Sequence, residues 1–248
     1  NIRVPEGWIV KGNPGNISFQ SAGDERQVDI ELIPPAFPSE GYVELEFVTM
    51  NGKYNKRLDV IDYDHIPRQY VLRHSASKVV KLDLKKEGEL IGYIEGAGDV
   101  VPESLRQIGY NVAIIKPEEI NAETLSRFDA IVVGIRAYNT VDALKFKQQH
   151  LFDFVEQGGN LIVQYNTNGG LVVDQLAPYP LKLSRDRVTD ENSEVVLLDT
   201  TNDLLNYPNK ITTKDFEGWV QERGLYFPNQ WSKEFTPVLS MHDKNESP

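Results

Sequence analysis

Cysteine is absent from the 248-residue chain, and that absence removes disulfide scaffolds, CxxC redox chemistry, cysteine-held zinc and thiol nucleophiles together. Compartment stays open on this point, because a cysteine-free chain suits a reducing cytosol and an export route alike. Long apolar runs are missing too. No stretch of 18 or more apolar residues occurs, so no membrane span is expected. No basic-then-apolar leader opens the chain, and the start at Asn1 rather than methionine reads as a processed or excised segment. Positive charge is short: the formal net charge is −11. Residues 1–87 are nearly balanced, with 12 basic against 13 acidic side chains, while residues 88–248 carry 14 against 24. The second part would repel a phosphate backbone, so nucleic acid is not an expected partner.

What is present fits two globular domains, with 40% hydrophobic and 25% charged residues. Near residue 87 the hydrophobic period changes. Before it, QVDIELI (27–33) sets Val28, Ile30 and Leu32 on one face, and YVELEFV (42–48) sets Val43, Leu45 and Phe47 on one face. Alternation of this kind predicts half-buried strands. Pro34, Pro35 and Pro38 separate them, and Asn51-Gly52 offers positive-φ residues for a hairpin turn. Residues 1–63 therefore read as a small all-β, immunoglobulin-like antiparallel sandwich. Residues 64–88 read as a linker. His65 and His74 sit in it without a second ligand at helical or hairpin spacing, which favours a linker or packing role over metal binding.

From residue 89 the pattern is βαβα: LIGYI (90–94), the helical VPESLRQIG (101–109), NVAIIK, the helical PEEINAETLSRF, DAIVVGI (129–135), a long helix over 142–159, and NLIVQY (160–165). Continuous apolar strands with helices between them predict a parallel sheet covered on both faces. Right-handed crossovers bring the C-terminal strand ends to one edge, the usual ligand edge of open α/β sheets. That edge gathers Glu95, Gly96, Gly98 and Asp99, then Arg136, Tyr138 and Asn139, then Tyr165, Asn166, Thr167 and Asn168. The GAGD turn (96–99) lacks the full dinucleotide fingerprint and its acid opposes a phosphate, so a plain strand-to-helix turn is expected and no cofactor.

The order GYIEGAGD, helix, FDAIVVGIRAYNT, long helix, GGNLIVQYNTN resembles the glutamine-amidotransferase-like domain of class I amidotransferases and ThuA-like proteins. GAGDVVPESLRQIGY, GIRAYNT, QYNTN, PYPLKLSRDRVTDE and DFEGWVQERGLYFP resemble the C-terminal region of large bacterial PIG-L/LmbE-type deacetylase proteins, over most of 88–243. IDYDHIPRQ also fits. The resemblance implies a flavodoxin-like α/β domain over 89–248, an N-terminal deacetylase-like domain of the same parent chain as partner, and an extracytoplasmic (periplasmic or secreted) location. Two departures qualify it. Where class I amidotransferases carry a nucleophilic cysteine, this chain has Tyr165 or Asn166, a phenol with an ordinary pKa near ~10 and a carboxamide, so thioester chemistry is excluded. The family's zinc centre lies in a separate N-terminal domain marked by a His-Pro-Asp-Asp run, which the four histidines here do not form.

The polar edge nevertheless carries hydrogen-bonding groups suited to a neutral sugar: asparagine amides, the Arg136 fork and tyrosine rings. The alternative is that Asn166 and Asn168 satisfy loop backbone while Tyr138 and Tyr165 plug the edge. A second cluster joins Arg185, Asp186, Arg187, Asp190 and Glu191 to Asp215, Glu217, Trp219, Glu222, Arg223, Tyr226 and Trp231. Paired acids there would suit glycoside hydrolysis, but a salt-bridge network fixing a long loop is the favoured expectation, with the aromatics in a core. Two functions follow. One is a non-catalytic, carbohydrate-associated or scaffolding region with ligand candidates Glu95, Asp99, Arg136, Tyr138, Asn139, Tyr165, Asn166, Asn168, Arg187 and Glu222. The other is a hydrolase using Glu95, Asp99 or Glu222 as base. The first is preferred.

Overall fold

The structure is a computed structural model describing residues 1–12, 15–218, 224–244 and 246. The chain divides into two compact units, Asn1–Leu84 and Lys85–Pro248. The first is built of antiparallel strands: β1 (Ile2–Arg3), β2 (Ile9–Lys11), β3 (Glu31–Ile33), β4 (Ser39–Leu45), β5 (Phe47–Thr49), β6 (Gly52–Tyr54), β7 (Lys56–Ile61), β8 (Gln69–His74) and β9 (Ala76–Lys81). They pair as β1-β4-β9, β2-β3, β5-β6 and β7-β8. Ile30, Leu32, Val43 and Leu45, the central members of the two alternating faces, meet around a hollow of about 130 Å³. The outer members do not join them, since Val28 and Phe47 are exposed. Thr49 pairs with Gly52, so the hairpin turns on Met50-Asn51 with Gly52 at its first paired position, one residue earlier than expected.

The expected linker over 64–88 is the main correction in this unit. Gln69–His74 pairs residue for residue with β7, and Ala76–Lys81 pairs with β4. Charged residues between the apolar ones disguise these strands. Arg57 and Arg73 flank Asp59 across the β7-β8 ladder at 3.4 and 3.0 Å, leaving Leu58, Val60, Tyr70 and Leu72 exposed on the opposite face.

The second unit follows the βαβα expectation. It contains β10 (Leu90–Ile94), α1 (Val101–Gln107), β11 (Asn111–Ile114), α2 (Ala122–Leu125), β12 (Ala130–Val133), α3 (Ala137–Thr140), α4 (Leu144–Glu156) and β13 (Asn160–Val163). The four strands form one wholly parallel sheet in the order β11-β10-β12-β13. Pro102 opens α1 and Gly109, at φ 96°, closes its C-terminal end. The helix expected over PEEINAETLSRF is split: a 3₁₀ turn at Pro117–Glu119 precedes α2, because the Asn121 side chain accepts from Thr124 N at 3.0 Å and starts a new helix.

Alternate strand residues feed two cores. Ile94, Ile131 and Val133 pack with Leu125, Leu144 and Leu151 on the α2 and α4 side, whereas Ile91, Tyr93 and Val132 pack with Val101 and Leu105 of α1 on the other. Each fully buried Leu, Ile or Val side chain contributes roughly 1.5–3 kcal/mol. Cover on both faces is incomplete. Ile162 shares the α1 side with Val132, its partner in register, yet is 54% exposed. Beyond β13 come the short strands β14 (Leu181–Leu183), β15 (Val196–Leu197), β16 (Pro228–Trp231) and β17 (Leu239–Ser240), paired antiparallel as β14-β16 and β15-β17.

Candidate functional site at the sheet mouth

The C-terminal ends of β10 and β12 lie side by side, and the chain reverses strand order there. In open α/β sheets this is where a crevice opens. Here the backbone fills it: Ala97 N donates to Ile135 O and Gly134 N to Ile94 O, each at 2.8 Å. Asp99 seals the same junction. Its carboxylate accepts from Val101 N at 2.9 Å, Ile135 N at 3.3 Å and the Tyr93 hydroxyl, while Gln164 Nε2 donates to that hydroxyl at 3.0 Å. Burial works to raise the Asp99 carboxyl, but these donors outweigh it and hold it below its ordinary value. Burial, together with the neighbouring carboxylate, pushes the Tyr93 phenol far up. Asp99 is therefore a clamp within the fold, and its carboxylate is already occupied.

The other edge candidates separate into two groups. Tyr138 is completely buried in the α2-α4 core, not at the mouth, because α3 turns it inward immediately after Arg136. Asn166 is only 5% exposed; it accepts from Tyr138 N at 3.1 Å and donates to Gln164 O at 2.8 Å. Asn139 donates to Thr167 O and Gly169 O and accepts from Thr167 N at 3.0 Å. These carboxamides stitch the loop after β12 to the loop after β13. Asn166→Ala should accordingly cost about 2 kcal/mol, since it strands a buried N–H and a C=O. A urea midpoint unchanged by the substitution would refute this role.

Tyr138 yields the opposite expectation. Its hydroxyl has no hydrogen-bond partner among the described residues. Burial pushes its pKa up, and the nearby Gln148 amide opposes the shift, although that amide is within hydrogen-bond geometry of Gln175 O at 2.6 Å and not of the phenol. Removing an unsatisfied buried hydroxyl relieves a desolvation cost, so Tyr138→Phe should raise stability by about 1 kcal/mol in chemical denaturation. A loss of stability would reveal a bond to the hydroxyl.

Glu95, Arg136, Tyr165 and Asn168 remain available. Among the described residues Glu95 and Arg136 are exposed without an ion pair, and the half-buried Asn168 amide makes no hydrogen bond. Arg136 adopts φ 57°, and its N–H donates to Tyr165 O at 2.7 Å. The Tyr165 ring lies 5.9 Å from that of Tyr226. Tyr226, at φ 58°, is the other non-glycine residue in the left-handed region among those described, and its N–H bonds Asp186 O at 2.9 Å. Each such residue costs about 1–3 kcal/mol, and such strain clusters at functional sites. Burial raises the Tyr165 phenol, Tyr226 adds to this and Arg136 opposes it.

A cavity of about 1260 Å³ lies beyond the mouth between β14-β16 and β15-β17, with Phe227, Trp231 and Phe235 in its wall and Arg185 and Arg187 on its rim. Of the ligand candidates Arg187 borders it, and so do Arg185, Asp186 and Trp231 of the second sequence cluster. Trp219, Glu222 and Arg223 lie outside the described residues. Among the described residues the salt-bridge network expected here is absent: Arg185 and Arg187 make no ion pair with Asp186, Asp190, Glu191, Asp215 or Glu217. Instead Asp243 accepts from Asp190 N at 2.8 Å and from the Thr189 N–H and hydroxyl, and these donors lower its carboxyl. Exposed ion pairs gain little in water, whereas loop amides require acceptors.

No family model, curated protein or solved structure matches the chain. Among the described residues no helix is long and apolar enough to cross a membrane, and no group of three His, Asp or Glu side chains is placed to hold a metal ion.

Proposed function

We propose that the chain is a non-catalytic, carbohydrate-associated accessory region of a PIG-L/LmbE-type deacetylase-like protein. In this reading a flavodoxin-like, amidotransferase-type domain without its nucleophile follows an immunoglobulin-like sandwich, and both serve an N-terminal deacetylase-like domain of the same parent in an extracytoplasmic location. One observation carries it. At the position after β13, where an amidotransferase would present its attacking thiol, the Asn166 amide is consumed by Tyr138 N and Gln164 O, and the adjacent Tyr165 phenol is shifted away from ionisation. The strand order with its reversal beside β10 supports the flavodoxin-like assignment.

The mouth in this reading holds a sugar through the Arg136 fork, the Glu95 carboxylate, the Asn168 amide and the Tyr165-Tyr226 rings. A hydrolase reading would need a free base. Asp99 is unsuited to that task because three donors hold it ionised. The test compares the purified chain with its full-length parent on glutamine, N-acetylglucosamine and aryl glycosides. The chain alone should give no turnover above background while the parent deacetylates. Turnover by the chain, abolished by Glu95→Gln or Tyr165→Phe, would overturn the proposal.

A further inference from the structure

We infer that the cavity between β14-β16 and β15-β17 is a binding cleft for a neutral oligosaccharide, separate from the mouth and independent of whether the mouth binds sugar. Its chemistry points to a polyol. Arg185, Arg187, Asp186 and Glu246 all border the cleft, yet among the described residues none of their side chains makes an ion pair or a hydrogen bond. Among the described residues, guanidinium donors and carboxylate acceptors thus border the same cleft without pairing with each other. An anionic ligand would satisfy only the arginines, and a cationic one only the acids. A sugar hydroxyl donates and accepts at once, so a row of hydroxyls satisfies both.

The apolar side of the cleft fits the other half of a sugar. Trp231 is 47% exposed on β16, opposite Leu181 in the ladder, and offers a rigid aromatic face for the C–H surface of a pyranose. Asn229, two residues earlier on the same strand, also lines the cleft and adds an amide beside that face. Phe235 is fixed by an edge-on contact with Tyr179, with centroids 6.3 Å apart and planes at 86°. A preset aromatic wall costs little ordering entropy on binding. The cavity volume, about 1260 Å³, exceeds the roughly 300–1,000 Å³ of ordinary small-molecule pockets, so the cleft accommodates several linked rings. Asp243 and Thr189 pin the loop that carries the arginine rim.

The experiment is isothermal titration of the whole chain with mono-, di- and tetrasaccharides of glucose, xylose, mannose and N-acetylglucosamine, and with tetrapeptides of mixed sequence as the competing class. The expected result is that at least one tetrasaccharide binds, at least tenfold more tightly than its monosaccharide. Trp231→Ala and Arg187→Ala should each weaken it tenfold or more with the melting temperature unchanged, because both side chains are exposed; Trp231→Phe should restore part of the affinity, and Lys147→Ala on α4 should have no effect. The inference is overturned if no saccharide binds at millimolar concentration, if affinity does not rise with chain length, if the Trp231 and Arg187 variants bind like wild type, or if a tetrapeptide binds in preference to every sugar.

Discussion

Gly96→Ala should lower the melting temperature of the second unit by roughly 6–12 °C, as expected for about 3 kcal/mol of overpacking in a domain of this size. A Cβ at this position would lie 2.1 Å from Ile135 O, 2.7 Å from Ala137 N and 3.0 Å from Ala137 Cα. All three are backbone atoms, so no side chain can swing aside. Nor can the loop retreat, because Ala97 N and Gly134 N tie the ends of β10 and β12 together on either side. Gly98 provides the contrast. It sits at φ 99° with nothing within 4 Å of a notional Cβ, so Gly98→Ala meets conformational strain alone and should cost about 1–2 kcal/mol. Thermal melts of both variants followed by circular dichroism would decide the matter, and a Gly96→Ala protein melting within two degrees of wild type would mean the junction is open.

A closed junction restricts where a ligand can sit. In an open doubly wound sheet the crevice between the first and third strands in sequence admits the ligand between loops. Here those loops are zipped, and the remaining hydrogen-bonding capacity lies above them, at Glu95, Arg136 and Tyr165. The strain at Arg136 and Tyr226 is concentrated at the same place. A binding role for the mouth therefore means contact at its surface, which is consistent with a longer ligand lying across the unit.

The parallel sheet was legible in the sequence because apolar runs such as LIGYI and AIVV contrast sharply with the glycines, prolines and charges between them. β8 and β9 were not, since RQYVLRHSASKVVK alternates weakly and its pairing depends on β7 and β4, which lie elsewhere in the chain. The candidate site was half legible. Its residues could be assigned to one sheet edge, but whether a carboxamide faces ligand or backbone depends on contacts that spacing does not encode. Asn166 meets an N–H 28 residues away only because α3 begins at Ala137. Arg136 and Tyr226 adopt left-handed conformations without the glycine or asparagine that would betray them. The cleft was legible only in part: Arg185, Asp186, Arg187 and Trp231 stood out as one cluster, but the rest of the lining comes from segments between Leu181 and Glu246 joined by irregular chain.

Asp99→Ala should cost about 3 kcal/mol, the second large effect, because it leaves the Tyr93 hydroxyl, Val101 N and Ile135 N without their acceptor. Tyr93 is 2% exposed, so its hydroxyl has little access to water once the carboxylate is gone. Tyr93→Phe in the Asp99→Ala background removes the stranded donor and should recover about 1 kcal/mol, a coupling that a double-mutant cycle in urea isolates. Strict additivity of the two changes would mean that the hydroxyl-carboxylate bond carries no energy. The pH dependence is an independent check. The Asp99 carboxyl is lowered in the folded state, so its stabilisation is complete above the ordinary aspartate pKa of about 3.9 and is lost as pH falls through the lower folded value. Wild type and Asp99→Ala should therefore differ by a constant amount from neutrality down to mildly acidic pH and converge below it. A difference that grows on acidification would require the carboxyl to be protonated in the fold, and would return Asp99 to consideration as a catalytic acid.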